Sequence, residues 1–101
     1  MPSSPNHPFL PDQKFTLAPE VLLQRFENES LLLDLSSERV FQLNATGTRL
    51  AELIGENFSL EQLLSTLEAE YQASPDDLAR DVHYLLDELL AENLIITQAS
   101  D

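Results

Sequence analysis

Residues 31–44, LLLDLSSERVFQLN, followed at once by ATGTRLAELI over residues 45–54, decide the fold. Leu31–Leu35 is an apolar run broken at Asp34, and Ser36-Ser37-Glu38 is polar and turn-like. Arg39–Leu43 then alternates, with Phe41 and Leu43 on one face and Val40 and Gln42 on the other. Leucine favours helix as readily as strand, but the runs are short and bounded by turn residues, which selects strand. Upstream, Val21–Phe26 (VLLQRF) ends near Asn28, a turn residue. Together the three runs predict an antiparallel meander.

The chain leaves the meander through Leu43-Asn44 into helices. Asn44 is placed to cap the first, accepting from a free amide of its opening turn. Leu50, Leu53 and Ile54 give that helix an apolar stripe, and Gly55, tolerant of the left-handed conformation, is expected to end it. Ser59 with Gln62 three residues on fits a capping box. Leu60, Leu63, Leu64, Leu67 and Tyr71 then share one helical face. The third helix opens SPDD: Ser74 suits the cap, Pro75 the first helical position, and Asp76 and Asp77 complement the helix dipole. Its apolar face is Leu78, Val82, Leu85, Leu86, Leu89 and Leu90. Asn93 is placed to end it, after which Leu94-Ile95-Ile96 returns to the core. The fold class is therefore α+β: a three-stranded antiparallel sheet followed by three α-helices, in a winged-helix-like order. Residues 1–14, with prolines at 2, 5, 8 and 11, read as a flexible tail, and residues 98–101 as a disordered C-terminus.

Composition narrows the function. A chain of 101 residues, 43% hydrophobic and 23% charged, forms one globular domain. It has no cysteine, hence no disulfide framework and no thiolate metal site, which fits a cytoplasmic protein. No run of apolar residues is long enough to span a membrane, and the N-terminus lacks a secretory pattern. The formal net charge is −13, and from Asn44 onward twelve acidic residues face only Arg49 and Arg80. Phosphate backbones repel such a surface, so nucleic acid is excluded as a partner, and an anionic membrane with it. A basic partner or peptide segment remains.

No catalytic set is present. His83 is the one histidine in the folded part, and its helical neighbours Arg80 and Asp87 make a surface charge pair with it, not a zinc site. Asp76, Asp77, Asp81 and Glu88 read as solvated charge rather than paired catalytic carboxylates, and Ser59 and Ser74 as caps. Gly47 alone makes no phosphate loop. No metal, cofactor or enzymatic activity is expected. What remains is a peptide-binding module or an interaction domain, with an acidic winged-helix regulator as a further alternative.

From about Leu17 to Ile96 the chain resembles the PqqD-like family of small peptide-binding domains, also called RiPP recognition elements. The resemblance rests on LLLDLSSERVFQLN, the ATGTRL helix opening, SLEQLLSTLEAEY, and DVHYLLDELLAENLI, with Leu43-Asn44-x-Thr46-Gly47 its most specific motif. The chain departs from the family in having Ser37-Glu38 where a glycine often precedes the third strand, and no tryptophan near Ala51. The resemblance implies a peptide-binding domain over residues 15–97. It implies a leader peptide added as a strand beside the third strand, against the third helix. Carried onto this chain, the edge is Arg39, Val40, Phe41, Gln42 and Leu43, and the helix wall contributes Arg80, His83, Tyr84 and Asp87. Implied partners are a precursor peptide and a separate modifying enzyme, either a radical-SAM enzyme or a leader peptidase. An adaptor of the same fold without a leader ligand is the alternative.

Overall fold

The computed structural model describes residues 9–98. In chain order its elements are β1 (Lys14–Leu17), β2 (Val21–Phe26), β3 (Glu29–Asp34), β4 (Arg39–Leu43), α1 (Ala45–Gly55), α2 (Leu60–Tyr71), α3 (Pro75–Ala91) and β5 (Ile95–Gln98). The expected meander is present, with strands ordered β2-β3-β4 and both pairs antiparallel. Glu27 takes φ 59° in the tight first turn. In the second turn Asp34 Oδ1 accepts from the Ser36 N–H (3.1 Å) and hydroxyl (2.9 Å). Those bonds hold the Asp34 carboxyl below its ordinary range, the Ser36 hydroxyl acting most strongly.

Alternation sorts the sheet into two faces. Val21, Leu32 and Leu43 face the core, together with Ser30, whose hydroxyl meets that of Thr48 on α1 at 2.8 Å in a buried contact. Leu22, Leu33 and Val40 lie in register across the outer face. The helices close the core with Leu50, Leu53, Ile54, Leu63, Leu67, Leu86 and Leu89.

A second sheet, unforeseen in the sequence, pairs β1 with β5 from Lys14↔Gln98 to Leu17↔Ile95. Four-residue strands with a single strongly apolar face give little periodic signal. Phe15 and Ile95 are nevertheless fully buried in the core, with β1 against α1 and β5 against α3. The expected tail boundary at residue 14 and C-terminal boundary at 98 therefore cut through paired residues. Residues 9–13 are also bound: Phe9 packs edge-on against Phe15 at 5.4 Å. The carbonyls of Gln13 and Pro11 accept from the Leu60 (2.8 Å) and Glu61 (2.9 Å) N–H groups, satisfying amides at the start of α2. Residues 1–8 and 99–101, and with them His7, lie outside the described residues.

The caps fall largely as expected. Asn44 Oδ1 accepts from the Gly47 N–H at 2.9 Å, and the Ser59–Gln62 capping box is complete. Gly55 differs: it stays inside α1, and the left-handed residue is Asn57 at φ 69°. Ser74 precedes α3 without a side-chain cap bond, so Pro75 and the acids Asp76 and Asp77 carry that end. Asn93, at φ 60°, follows the end of α3 as anticipated. Among the described residues no helix is long and apolar enough to cross a membrane.

Phe15→Ala should lower stability by about 3–5 kcal/mol, the usual range for a fully buried aromatic. Urea denaturation reads this directly, and an unchanged midpoint would show that β1 is no part of the core. An NMR pH titration should place the Asp34 midpoint below the ordinary 3.8. The stability these turn bonds contribute is then present above the unfolded carboxyl's pKa and lost as pH falls through the lower, folded value. A midpoint at or above the ordinary value would refute the turn geometry.

Candidate functional site

The meander leaves one long side of β4 unpaired, since β3 occupies only the other. Which groups point outward follows from the hydrogen bonds at the β3–β4 turn. The Asp34 carbonyl accepts from the Glu38 N–H at 2.8 Å, on the β4 side, while the Leu35 N–H donates to Glu20 at 2.9 Å, on the β2 side. Backbone groups alternate along an antiparallel strand, so Ser30, Leu32 and Asp34 bond toward β4. Their register partners Leu43, Phe41 and Arg39 bond back, and Val40 and Gln42 turn both N–H and C=O to the open edge.

Beside that edge lies a cleft of about 380 Å³. Phe41, Gln42 and Leu43 form its strand side, Asn44, Thr46, Gly47 and Leu50 its floor, and Asp81, Val82, Tyr84, Leu85 and Glu88 its helical wall. The floor is close-packed because Gly47 has no side chain: a Cβ there would meet Leu43 Cδ2 at 3.2 Å and Leu85 Cδ2 at 3.3 Å. Phe41 and Leu85 are half-buried and apolar, while Tyr84, 68% exposed, stands on the rim.

The structure brings together only part of the set inferred from the sequence. Val40, Phe41, Gln42, Leu43 and Tyr84 belong to the edge and cleft. The Arg39 backbone faces β3, and its guanidinium is ion-paired to Glu92 just beyond α3, which ties the start of β4 to that helix. Arg80 pairs with Asp77 at 3.1 Å, and neither Arg80 nor Asp87 lines the cleft. His83 is not a surface or groove residue. It turns to the other side of α3, its ring tilted against Phe9 at 5.7 Å and its Nε2 buried with no hydrogen-bond partner among the described residues. One residue is 100° of helical rotation, enough to separate His83 from Tyr84. The wall residues missed were Asp81, Val82, Leu85 and Glu88, Val82 and Leu85 having been read as part of the helix's apolar face. Asp81 and Glu88 flank Tyr84 at i−3 and i+4 on the Leu85 side, but Arg80 and Asp87 flank it equally closely at i−4 and i+3 on the other, so spacing alone did not choose between the pairs.

The cleft is electrostatically one-sided. No basic residue lines it, and neither Asp81 nor Glu88 has an ion-pair partner among the described residues. The arginines are engaged elsewhere: Arg25 with Glu52, Arg39 with Glu92, Arg80 with Asp77, and Arg49 with Glu52 and, in a two-pronged contact, Glu70. The Arg49 fork holds the Glu70 carboxyl below its ordinary range. Among the described residues no group of three potential ligands is placed to hold a metal.

Two comparisons bear on this geometry. The model of the family described as coenzyme PQQ synthesis protein D (PqqD) matches residues 29–95. Among solved structures, TbiB1 in complex with the TbiA(beta) leader peptide is 26% identical and superposes with a TM-score of 0.77, covering 84% of this chain and 99% of that one. No curated protein matches the chain. The family match runs from the start of β3 to the start of β5, taking in the open edge, the cleft floor and the whole helical wall, and the chain belongs to the PqqD family.

Proposed function

We propose that this protein binds the leader segment of a ribosomally synthesised precursor peptide as an added strand beside β4 and presents it to a separate modifying enzyme. The observation that carries the reading is the unpaired β4 edge opening onto a cleft, in a chain similar to a protein solved with a leader peptide. An unpaired edge is a template for another strand: main-chain bonds supply affinity and side-chain pockets supply selectivity. Val40 and Gln42 offer two donors and two acceptors, each bond contributing a net of roughly 0.5–1.5 kcal/mol. Alternate leader side chains enter the cleft against Phe41, Leu43, Leu85 and Tyr84. Burying two apolar side chains there, at about 1.5–3 kcal/mol each, brings the total into the micromolar range.

The chain acts here as a binding module, with the chemistry left to its partner, a radical-SAM enzyme or a leader peptidase in the cytoplasm. The order of strands and helices is read as winged-helix-like, but the α3 face that would enter a DNA groove in that fold carries Asp81 and Glu88.

Four measurements test the reading. In an NMR titration with the precursor's leader, shifts should concentrate on residues 39–43 and on Asp81, Tyr84, Leu85 and Glu88. Shifts confined to Leu60–Tyr71 would move the interface to α2. Val40→Pro and Gln42→Pro each remove an outward donor without removing a bond to β3, and should weaken binding by roughly two- to tenfold apiece, with circular dichroism checking the fold. Tyr84→Ala should weaken binding while His83→Ala leaves it unchanged; the reverse pattern would put the ligand on the other side of α3. Duplex DNA at physiological salt should bind only weakly and non-specifically. Tight, salt-sensitive binding in an anisotropy titration would restore the regulator.

A further inference from the structure

Asp81, Tyr84 and Glu88 form a carboxylate–aromatic–carboxylate stripe along the exposed wall of the cleft. Its ends are seven residues apart, about 10 Å along the helix axis at 1.5 Å per residue. Among the described residues neither end has a counter-charge. All four arginines are paired with other acids, and Lys14, the remaining basic residue, is on β1. Elsewhere three acids are matched across neighbouring elements: Glu52 and Glu92 to strands β2 and β4, and Glu70 to α1. The two carboxylates facing the open edge are left unmatched.

We infer that the occupant of this cleft is a basic, extended peptide, with a lysine or arginine two positions from an apolar residue that packs on Tyr84. This rests on the strand-addition reading above and specifies its ligand. Successive same-face side chains of a strand are about 6.6 Å apart. Tyr84 lies about 4.5 Å from Asp81 and about 6 Å from Glu88 along the axis, so a long basic side chain at the adjacent same-face position reaches a carboxylate. The guanidinium or ammonium group also passes beside the Tyr84 ring, which attracts cations. The net charge of −13 draws such a peptide in from solution, more strongly at low salt.

The test is selection from a displayed library of random linear peptides against three forms of the full chain. These are the wild type, an Asp81→Asn/Glu88→Gln double variant, and a Val40→Pro/Gln42→Pro double variant. Wild type should enrich peptides with a basic residue two positions from a leucine or aromatic one. The neutralised wall should keep the apolar preference and lose the basic one, and wild-type binders should lose roughly two- to fivefold in affinity per carboxylate removed. The proline variant, folded by circular dichroism, should weaken those binders by roughly four- to a hundredfold. Enriched peptides without basic bias that still need the β4 edge would overturn this inference and leave strand addition standing. Binders indifferent to the proline substitutions, or no binders at all, would overturn both.

Discussion

The site depends on one close approach. β4, α1 and α3 meet at Gly47, where a Cβ would stand 3.2–3.3 Å from atoms of Leu43 and Leu85. Glycine inside a helix costs about 1 kcal/mol relative to alanine. Here that cost lets α1 lie flush on the last residue of the strand it follows, with only Asn44 between them. Leu43 cannot retreat, being a buried residue of the sheet bonded to Ser30 on β3. α3 is thereby held beside β4 without covering it, and the gap between them is the cleft. The same three residues set both the width of the cleft and the exposure of the strand edge.

Charge acts on this frame by position more than by strength. The ion pairs Arg25–Glu52, Arg39–Glu92 and Arg49–Glu70 are largely solvated, and pairs of that kind contribute about 1 kcal/mol or less. Their consequence is where they leave the cations. Each joins elements at the margins of the core, so the helical half keeps its surplus of acid and the cleft wall keeps two carboxylates without partners. The stability of the fold comes instead from the apolar cluster that Phe15, Leu32, Leu63 and Leu86 complete.

The meander, the three helices and most of their caps were legible because each rests on a local signal: alternation in Arg39–Leu43, leucine spacing in α2 and α3, and Asn44 and Ser59 as caps. The β1–β5 sheet was not, because its two strands are short and far apart in sequence, and neither carries a turn that announces a partner. The prolines at 8 and 11 also read as disorder, whereas the Pro11 and Gln13 carbonyls are acceptors for the start of α2. At the candidate site, strand order made an edge at β4 legible, and the resemblance singled it out. The wall was legible only in part: the resemblance assigned it Arg80, His83, Tyr84 and Asp87, and of these Tyr84 alone lines the cleft. Helical phase places Arg80 and Asp87 on one side of Tyr84 and Asp81 and Glu88 on the other, the Leu85 side, and the cleft lies on the latter. Helical rotation turns His83 the other way, where Phe9, from a segment taken for a tail, packs against its ring.

An open strand edge is a hazard as well as a site, since any exposed strand, including that of a second copy, can pair with it. This edge is limited in two ways. It is short: only Val40 and Gln42 turn their backbone groups outward, and the strand is closed off by the Arg39–Glu92 pair at one end and the Asn44 cap at the other. It is also guarded by charge, because a second copy would bring its own net −13 against Asp81 and Glu88. Repulsion between copies and attraction of a basic strand are one electrostatic property seen by two different partners. A chain of this composition can therefore leave a strand edge open to a peptide while denying it to itself.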